Sequence, residues 1–132
     1  MIGYNPVNIP NELELIRLTQ LSCDVLDLIR DEFGKIKVTS GYRNKKYNAE
    51  IGGAENSQHT KGEAADIIPQ NADTFNVFKW CVENIIYDQI IYEEKVSKSG
   101  KVKKWIHISY KIEKNRNEAL TYKDNVYNFY KN

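Results

Sequence analysis

Residues 88–110 read DQIIYEEKVSKSGKVKKWIHISY, and this stretch decides the fold. Two mainly apolar segments, 88–93 and 104–110, flank the turn-forming pair Ser99–Gly100. Short segments rich in isoleucine, tyrosine and tryptophan favour strands, and a glycine-containing connection between two of them is typical of a β-hairpin. We therefore expect these residues to form an antiparallel strand pair.

Further strands are predicted on both sides of this hairpin. IKVTS (36–40) is rich in β-branched residues, and EAADII (63–68) is an apolar segment that ends at Pro69. Downstream, EALTYKDNVYNFY (118–130) predicts either an edge strand or a small hairpin with its turn at Asp124–Asn125.

The first predicted helix begins at Asn11, because Glu14 three residues later completes a capping-box pattern. Gly34 is a natural end for it. Between these points the apolar residues recur at steps of three and four, as in an amphipathic helix. The expected buried stripe consists of Leu15, Leu18, Leu21, Val25 and Leu28.

Two more helices are expected. A short one lies within GYRNKKYNAEIGG (41–53) and stops at its two final glycines, and residues 54–61 follow as a loop. Another is capped by Asn71 or Asp73. Its apolar face carries Phe75, Phe78, Val82 and Ile85. Together these elements predict one α+β domain over residues 1–132, with a small, mainly antiparallel sheet and two or three helices.

Composition excludes several classes of function. The chain has 132 residues with a formal net charge of +1, which gives no general basic field for nucleic acid. The basic segment 95–104 flanks the predicted turn and is expected to be a solvated hairpin tip. No stretch approaches the ~20 apolar residues of a membrane span, and the N-terminus lacks the pattern of a signal peptide. We expect synthesis in a cytoplasm and no membrane insertion.

The two cysteines, Cys23 and Cys81, both fall within apolar helical patterns. Two cysteines do not make a disulfide framework, and no metal-type spacing links them. Both are expected to be buried free thiols.

The two histidines and one aspartate suggest a metal site. Asp66 and His107 each lie inside a strand that otherwise looks buried, where an unpaired carboxylate would be very unfavourable. His59 precedes the Asp66 strand, and Gly62 lets the intervening loop turn back. Two histidines and one carboxylate form a set of ligands found in catalytic zinc sites. On spacing alone, core histidines remain an alternative, and Asp66 could instead cap a turn or pair with Arg43.

Three motifs carry a resemblance to a known family. The run Ser57-x-His59-x-x-Gly62-x-Ala64-x-Asp66 resembles the motif of the zinc D-Ala-D-Ala carboxypeptidase family, which includes L-alanyl-D-glutamate endolysins and shares its fold with the hedgehog signalling domain. SGYR (40–43) and WIHIS (105–109) resemble two further family elements, in the same order. The resemblance covers roughly residues 10–110.

The resemblance implies a role for each matching residue. His59, Asp66 and His107 would bind Zn²⁺, and Arg43 would contact the substrate near its carboxylate or scissile carbonyl. Ser57 would line the cleft or only shape the loop. The implied activity is hydrolysis of the peptidoglycan stem peptide, as a D-Ala-D-Ala carboxypeptidase or an endolysin. A non-catalytic zinc-containing binding or virion module on the same fold is the alternative.

The resemblance implies Glu93 as the general base, with the adjacent Glu94 as the alternative. Several family members carry an acidic residue three positions before the last histidine, where this chain has Lys104. A related branch has a glutamate at the end of the preceding strand, which Glu93 matches and Glu94 adjoins. If Gly100 is the central residue of an odd-length loop, Glu93 lies opposite His107 and on its face. If the loop consists only of Ser99 and Gly100, Tyr92 faces His107 instead.

The resemblance also suggests where the protein acts. A short chain without a recognisable wall-binding domain fits an enzyme that reaches the cell wall by a phage-type release route. A monomer is expected. The sequence does not distinguish phage from bacterial origin, endo from exo cleavage, or which peptide bond is cut.

Overall fold

The computed structural model describes residues 8–43, 45–53 and 57–131. Part of the predicted loop, 54–56, lies outside these residues, as does the segment 1–7 at the N-terminus where no signal peptide is expected.

Six strands of the described chain form one sheet in the order β1-β2-β4-β3-β5-β6. Neighbouring strands are antiparallel except β3 and β5, which run parallel. The predicted α+β fold with a mainly antiparallel sheet is therefore confirmed. The strands are β1 (Ile36–Ser40), β2 (Ala64–Pro69), β3 (Gln89–Val96), β4 (Val102–Ser109), β5 (Glu118–Lys123) and β6 (Val126–Phe129).

The β3–β4 hairpin is present, but its register differs from both expected pairings. The loop between the strands spans residues 97–101 and is closed by the Ser97 amide, which donates to the Lys101 carbonyl at 2.8 Å. This odd-length loop is centred on Ser99, one residue before Gly100. As a result Ile91, and neither Glu93 nor Tyr92, lies opposite His107.

The C-terminal segment forms the small hairpin that was one of the two predicted alternatives. Asp124 and Asn125 both have positive φ angles, 53° and 62°, as the two-residue turns of tight hairpins require. β5 adds to the sheet beside β3, and β6 forms the outer edge.

Residues 12–33 form one continuous helix in three parts: α1 (Glu12–Leu21), a π-helical turn (Ser22–Leu26) and α2 (Asp27–Phe33). The capping box predicted at its start is confirmed by the reciprocal Asn11 and Glu14 hydrogen bonds, both 2.8 Å. Gly34 ends it, as predicted.

The predicted stripe of this helix is wrong at both ends. Its buried residues are Leu21, Val25 and Ile29, whereas Leu15 and Leu28 are exposed. The π turn inserts extra chain into the helix, which rotates the following residues so that Ile29 replaces Leu28 on the core side. Leu15 lies on the part of α1 that precedes Leu21, the one buried residue of this element.

The prediction that both cysteines are buried is wrong for Cys23. Cys81 is buried, but Cys23 is exposed, and both are free thiols. Cys23 lies two residues from both Leu21 and Val25, which face the core, so its side chain points to the opposite side of the helix.

The other two helices lie where they were predicted. α3 spans Lys45–Glu50, and α4 spans Thr74–Asn84. The buried apolar residues of α4 are Val77, Phe78 and Cys81, but the predicted Phe75 and Val82 are only half-buried. Asp73, not Asn71, caps α4 by accepting from the Asn76 amide at 3.0 Å.

The hydrophobic core lies on one face of the sheet. α4 contributes Val77, Phe78 and Cys81 to it, all fully buried. The strands contribute side chains that alternate with the polar ones. The fully buried isoleucines among them are Ile67, Ile90, Ile106 and Ile108. The opposite face is therefore free to carry a site. Within the described residues, no helix combines the length and apolar character needed to cross a membrane.

Candidate metal centre

Asp66 and His107 are direct cross-strand partners on the sheet face opposite the core. Ile106 and Ile108, which flank His107, both point into the core, and strand alternation sends the histidine to the other side. The sheet thus places a carboxylate and an imidazole side by side without any contribution from a loop.

His59 comes from a 3₁₀ turn, Gln58–Lys61, that lies over the same face. Ser57 caps this turn, since its hydroxyl accepts from the His59 amide at 3.2 Å. The His59 carbonyl accepts from the Arg43 amide at 2.9 Å, and Gly62 ends the turn with a φ of +73°. His59 is only 3% exposed, so this turn holds it in one place.

The three side chains converge on one point. His107 Nδ1 lies 2.9 Å from Asp66 Oδ1, and His59 Nε2 lies 3.4 Å from the same oxygen. The three potential ligand atoms all lie within 4.8 Å of one another. Asp66 therefore neither caps a turn nor pairs with Arg43, and the histidines are not isolated core residues.

The donor set fits a divalent metal ion. The Nδ1 of His59 lies 2.8 Å from the Gly41 carbonyl, which can only accept, so Nδ1 carries the proton and Nε2 presents a lone pair to the site. A metal-binding histidine usually has its second nitrogen fixed in this way. Two nitrogens and one carboxylate oxygen are the ligands of many catalytic zinc sites, which keep a fourth position for water or substrate.

The charge of Asp66 also suits cation binding. Burial by itself would raise the pKa of Asp66, but the adjacent His107 and His59 outweigh burial and hold the pKa well below its usual range. The carboxylate is thus ionised at any ordinary pH.

A cleft of about 770 Å³ opens over this centre. Glu93 lines it, on the same sheet face as His107 but opposite Trp105. The Trp105 indole N–H donates to Glu93 Oε2 at 2.8 Å and so orients the carboxylate. The pKa of Glu93 is raised, mainly because the carboxyl group is buried. His107 and the Trp105 hydrogen bond lower the pKa and the nearby Asp66 charge raises it, but burial has the largest effect.

Glu94 does not reach the cleft. Its carboxylate accepts from the Tyr92 hydroxyl at 3.2 Å and lies 3.9 Å from Lys123 Nζ. Both contacts are on the core side of the sheet, because Tyr92 belongs to the core. Lys104 pairs with Glu94 across the hairpin and is exposed to solvent.

Arg43, the residue predicted to contact the substrate, and Ser57 both line the cleft. Arg43 donates from Nη1 to Asn48 Oδ1 at 3.2 Å, and no ion pair involves it among the described residues. Its Nε is buried without a hydrogen-bond partner in the described part of the chain. Ser57 lines the cleft and also caps the His59 turn.

The sequence did not predict three of the residues that line the cleft, or the buried Asp88 that they contact. Gln58 lies inside the motif of His59, and Lys111 and Arg116 lie in a segment with no clear periodicity. Asp88 accepts a hydrogen bond from Gln58 and from Arg116, and it lies 3.9 Å from Lys111 Nζ. Asp88 is fully buried although it is charged. The only sequence signal was its position at the start of an apolar strand, where a charge needs a partner.

The fold and the site define a class of protein: an α+β domain in which the sheet and a 3₁₀ turn bring three potential metal ligands together at the base of an open cleft, as in metal-dependent hydrolases. A sequence comparison identifies the family. The model of the family described as Peptidase M15 matches residues 7–109, which is most of the chain. The chain therefore belongs to the peptidase M15 family of zinc-dependent metallopeptidases. A search of curated proteins gave no match.

Proposed function

We propose that the protein is a zinc-dependent peptidase that hydrolyses bonds in the stem peptide of peptidoglycan, as a D-Ala-D-Ala carboxypeptidase or an endolysin. The observation that carries the proposal is the convergence of His59, Asp66 and His107 beneath a cleft that Glu93 and Arg43 also line. Ligands, a candidate base and a candidate substrate-binding cation are the three parts that peptide hydrolysis at a metal requires.

The zinc ion would be held by His59 Nε2, a carboxylate oxygen of Asp66 and His107 Nδ1. When bound, zinc polarises a carbonyl group and lowers the pKa of a water molecule toward ~7. The rigid sheet and the capped 3₁₀ turn keep the ligands in place before any substrate arrives, so little reorganisation is needed.

Glu93 is the proposed general base and acid. Its carboxylate takes a proton from the attacking water and later delivers that proton to the leaving amine. The raised pKa of Glu93 suits this double role, since the group must accept a proton readily and then release it. The Trp105 indole holds the carboxylate so that it stays within the cleft.

Arg43 is proposed to bind the substrate. A guanidinium forms paired hydrogen bonds with a carboxylate or a carbonyl oxygen. The backbone of Arg43 is fixed to the His59 loop, which gives the side chain a defined position relative to the ligands.

Two basic side chains of the cleft are available to bind a substrate carboxylate. Arg43 and Lys61 line the cleft and take part in none of the ion pairs among the described residues, whereas Lys111 and Arg116 contact the buried Asp88. Stem peptides carry free carboxylates, which Arg43 and Lys61 would attract. The substrate, action at the cell wall, a phage-type release route and a monomeric state are parts of this proposal.

A non-catalytic zinc module is the competing function. It would be favoured by Lys104, which replaces an acidic residue seen in several family members. Glu93 weighs against it, because that carboxylate lies on the face of the metal centre and lines the cleft. The two functions differ in one measurable respect, which is the turnover of peptide bonds.

The test is digestion of purified peptidoglycan by the zinc-loaded protein, followed by mass spectrometry of the fragments. We expect new amino and carboxyl termini within the stem peptide, and none with protein treated with a chelator. Zinc binding without any cleavage would support the non-catalytic module, and cleavage that survives metal removal would contradict the proposed mechanism.

A further inference from the structure

A hydrogen-bonded chain connects His107 to a buried charge. His107 Nε2, the nitrogen directed away from the metal centre, lies 3.0 Å from Gln58 Oε1. The amide nitrogen of Gln58 in turn donates to Asp88 Oδ2 at 3.0 Å. Gln58 thus bridges a proposed ligand and an aspartate that is fully buried.

Arg116 keeps Asp88 in its ionised form. Its backbone amide donates to Asp88 Oδ1 at 2.9 Å, and its guanidinium Nη2 donates to Oδ2 at 2.8 Å. Lys111 Nζ adds a longer contact of 3.9 Å. A buried carboxylate with such partners stays charged and can only accept hydrogen bonds.

This charge determines which way the Gln58 amide points. An ionised Asp88 must receive the NH₂ group of Gln58, so the amide oxygen faces His107. An oxygen in that position accepts a hydrogen bond, which requires the proton of the imidazole to lie on Nε2. In the metal-bound form, His107 Nδ1 would then present its lone pair to the ion.

We infer that Gln58 is a positioning residue that fixes the metal-binding tautomer of His107, and that Asp88 and Arg116 act through it. This inference rests on the proposed zinc site. Arg116 lies beyond residues 7–109, so the family match does not predict its part in the chain of contacts. The C-terminal segment therefore supports the metal centre without touching any ligand.

The first test measures the zinc dissociation constant by competition with a chromophoric chelator. Gln58→Met keeps the length of the side chain but removes both hydrogen bonds, and it should weaken zinc binding by about 10–100-fold. Gln89→Met is the matched control, because Gln89 lines the same cleft and bonds a carboxylate, Glu118, at 2.7 Å without contacting a ligand. It should leave zinc affinity unchanged.

The second test asks whether Asp88 acts through Gln58. Asp88→Asn should weaken zinc binding when residue 58 is glutamine and have little further effect in the Gln58→Met background. A purely structural role would lower affinity equally in both backgrounds. If Asp88→Asn does not fold, Arg116→Gln takes its place in the same cycle, since Arg116 is half exposed and its loss leaves Asp88 less firmly held.

Two results would overturn the inference: wild-type zinc affinity in Gln58→Met, or equal losses in the two backgrounds. Unfolding of the metal-free variants is followed by circular dichroism, which separates misfolding from weak binding. Because no substrate is present, these results do not depend on peptidase activity. If the wild-type protein itself binds no zinc, the proposed metal site fails instead.

Discussion

Glu93 and His107 lie on the same face of the β3–β4 hairpin, but two residues out of direct register. Ile91 is the partner opposite His107, and Glu93 pairs with Trp105. Diagonal neighbours of this kind in antiparallel strands remain within reach of long side chains. Because of this offset, there is room between the Glu93 carboxylate and His107 for a water molecule or a scissile bond. Direct pairing of the two residues would reduce that room.

This arrangement predicts which glutamate is essential. Glu93→Gln keeps the size of the side chain and an oxygen for the Trp105 indole, but it cannot take up a proton at neutral pH. Its turnover should fall by roughly a hundredfold or more. Glu94→Gln is the matched control and should be much milder, because Glu94 contacts Tyr92 and Lys123 on the other side of the sheet.

Turnover of the two variants should be compared at equal zinc content, with a stem-peptide substrate. If only Glu94→Gln lost activity, the base would lie on the core side of the sheet, and the assignment of Glu93 as the general base would be refuted. Full activity in both would mean that the proton is handled by another group.

The second prediction concerns the metal itself. One zinc ion should bind per chain, with anomalous scattering at the zinc edge showing it between His59, Asp66 and His107. Asp66→Ala should abolish tight binding, because it removes the oxygen on which both histidines converge. Zinc at full stoichiometry in that variant, or a peak elsewhere, would rule out this site.

The third prediction separates substrate binding from stability at Arg43. Arg43→Ala should reduce kcat/KM strongly and change the melting temperature little, because the side chain has one hydrogen bond, to Asn48, and no ion pair among the described residues. Arg30→Ala, an exposed change on α2, is the control for removal of a positive charge. A large loss of stability with normal turnover per folded molecule would make Arg43 a structural residue.

The sequence predicted the elements of the fold well, because their signals are local. The Asn11–Glu14 capping box, Gly34 and the Asp124–Asn125 turn each depend on a few adjacent residues. The candidate ligands were also visible, because Asp66 and His107 each interrupt an apolar strand, but only the folded sheet shows that the two are cross-strand partners.

The features that were missed depend on chain geometry over longer distances. The π turn changes which leucine faces the core, and nothing in the spacing of Leu28 reveals it. The hairpin register depends on where the five-residue loop is centred, which Ser99 and Gly100 do not specify by composition. The contact between Asp88 and Arg116 joins residues 28 positions apart, and only the folded sheet brings them together.

The fourth prediction follows from the raised pKa of Glu93. The pKa of Glu93 in the folded state lies above its ordinary value of 4.5, so the protonated carboxyl group favours the folded state. This contribution to stability is lost as the pH rises through the folded-state pKa. At neutral pH the charged Glu93 therefore destabilises the metal-free protein. Glu93→Gln should raise the metal-free melting temperature at pH 7, with the gain shrinking as the pH falls toward 4.

Thermal unfolding of wild type and Glu93→Gln across this pH range, in the presence of a chelator, measures the effect. Glu94→Gln serves again as the control and should show no comparable gain. A variant less stable than wild type at pH 7 would show that the Glu93 carboxylate contributes favourable contacts that outweigh its burial.

The last prediction concerns Gly62, where the ligand loop meets the first helix. Gly62 has a φ of +73°, and a Cβ at this position would lie 2.6 Å from the Glu14 carbonyl oxygen. Gly62→Ala therefore combines an unfavourable backbone conformation with a clash against backbone that cannot move freely. Gly100→Ala isolates the first effect, because Gly100 has a similar φ of +85° and nothing within 4 Å of the added carbon. The control should lose about 1–2 kcal/mol of the free energy of unfolding, and Gly62→Ala should lose more.

Since Gly62 ends the turn that holds His59, zinc affinity should fall in Gly62→Ala and stay normal in Gly100→Ala. Equal destabilisation of the two variants in urea titrations would show that α1 yields to the added methyl group and does not fix the ligand loop.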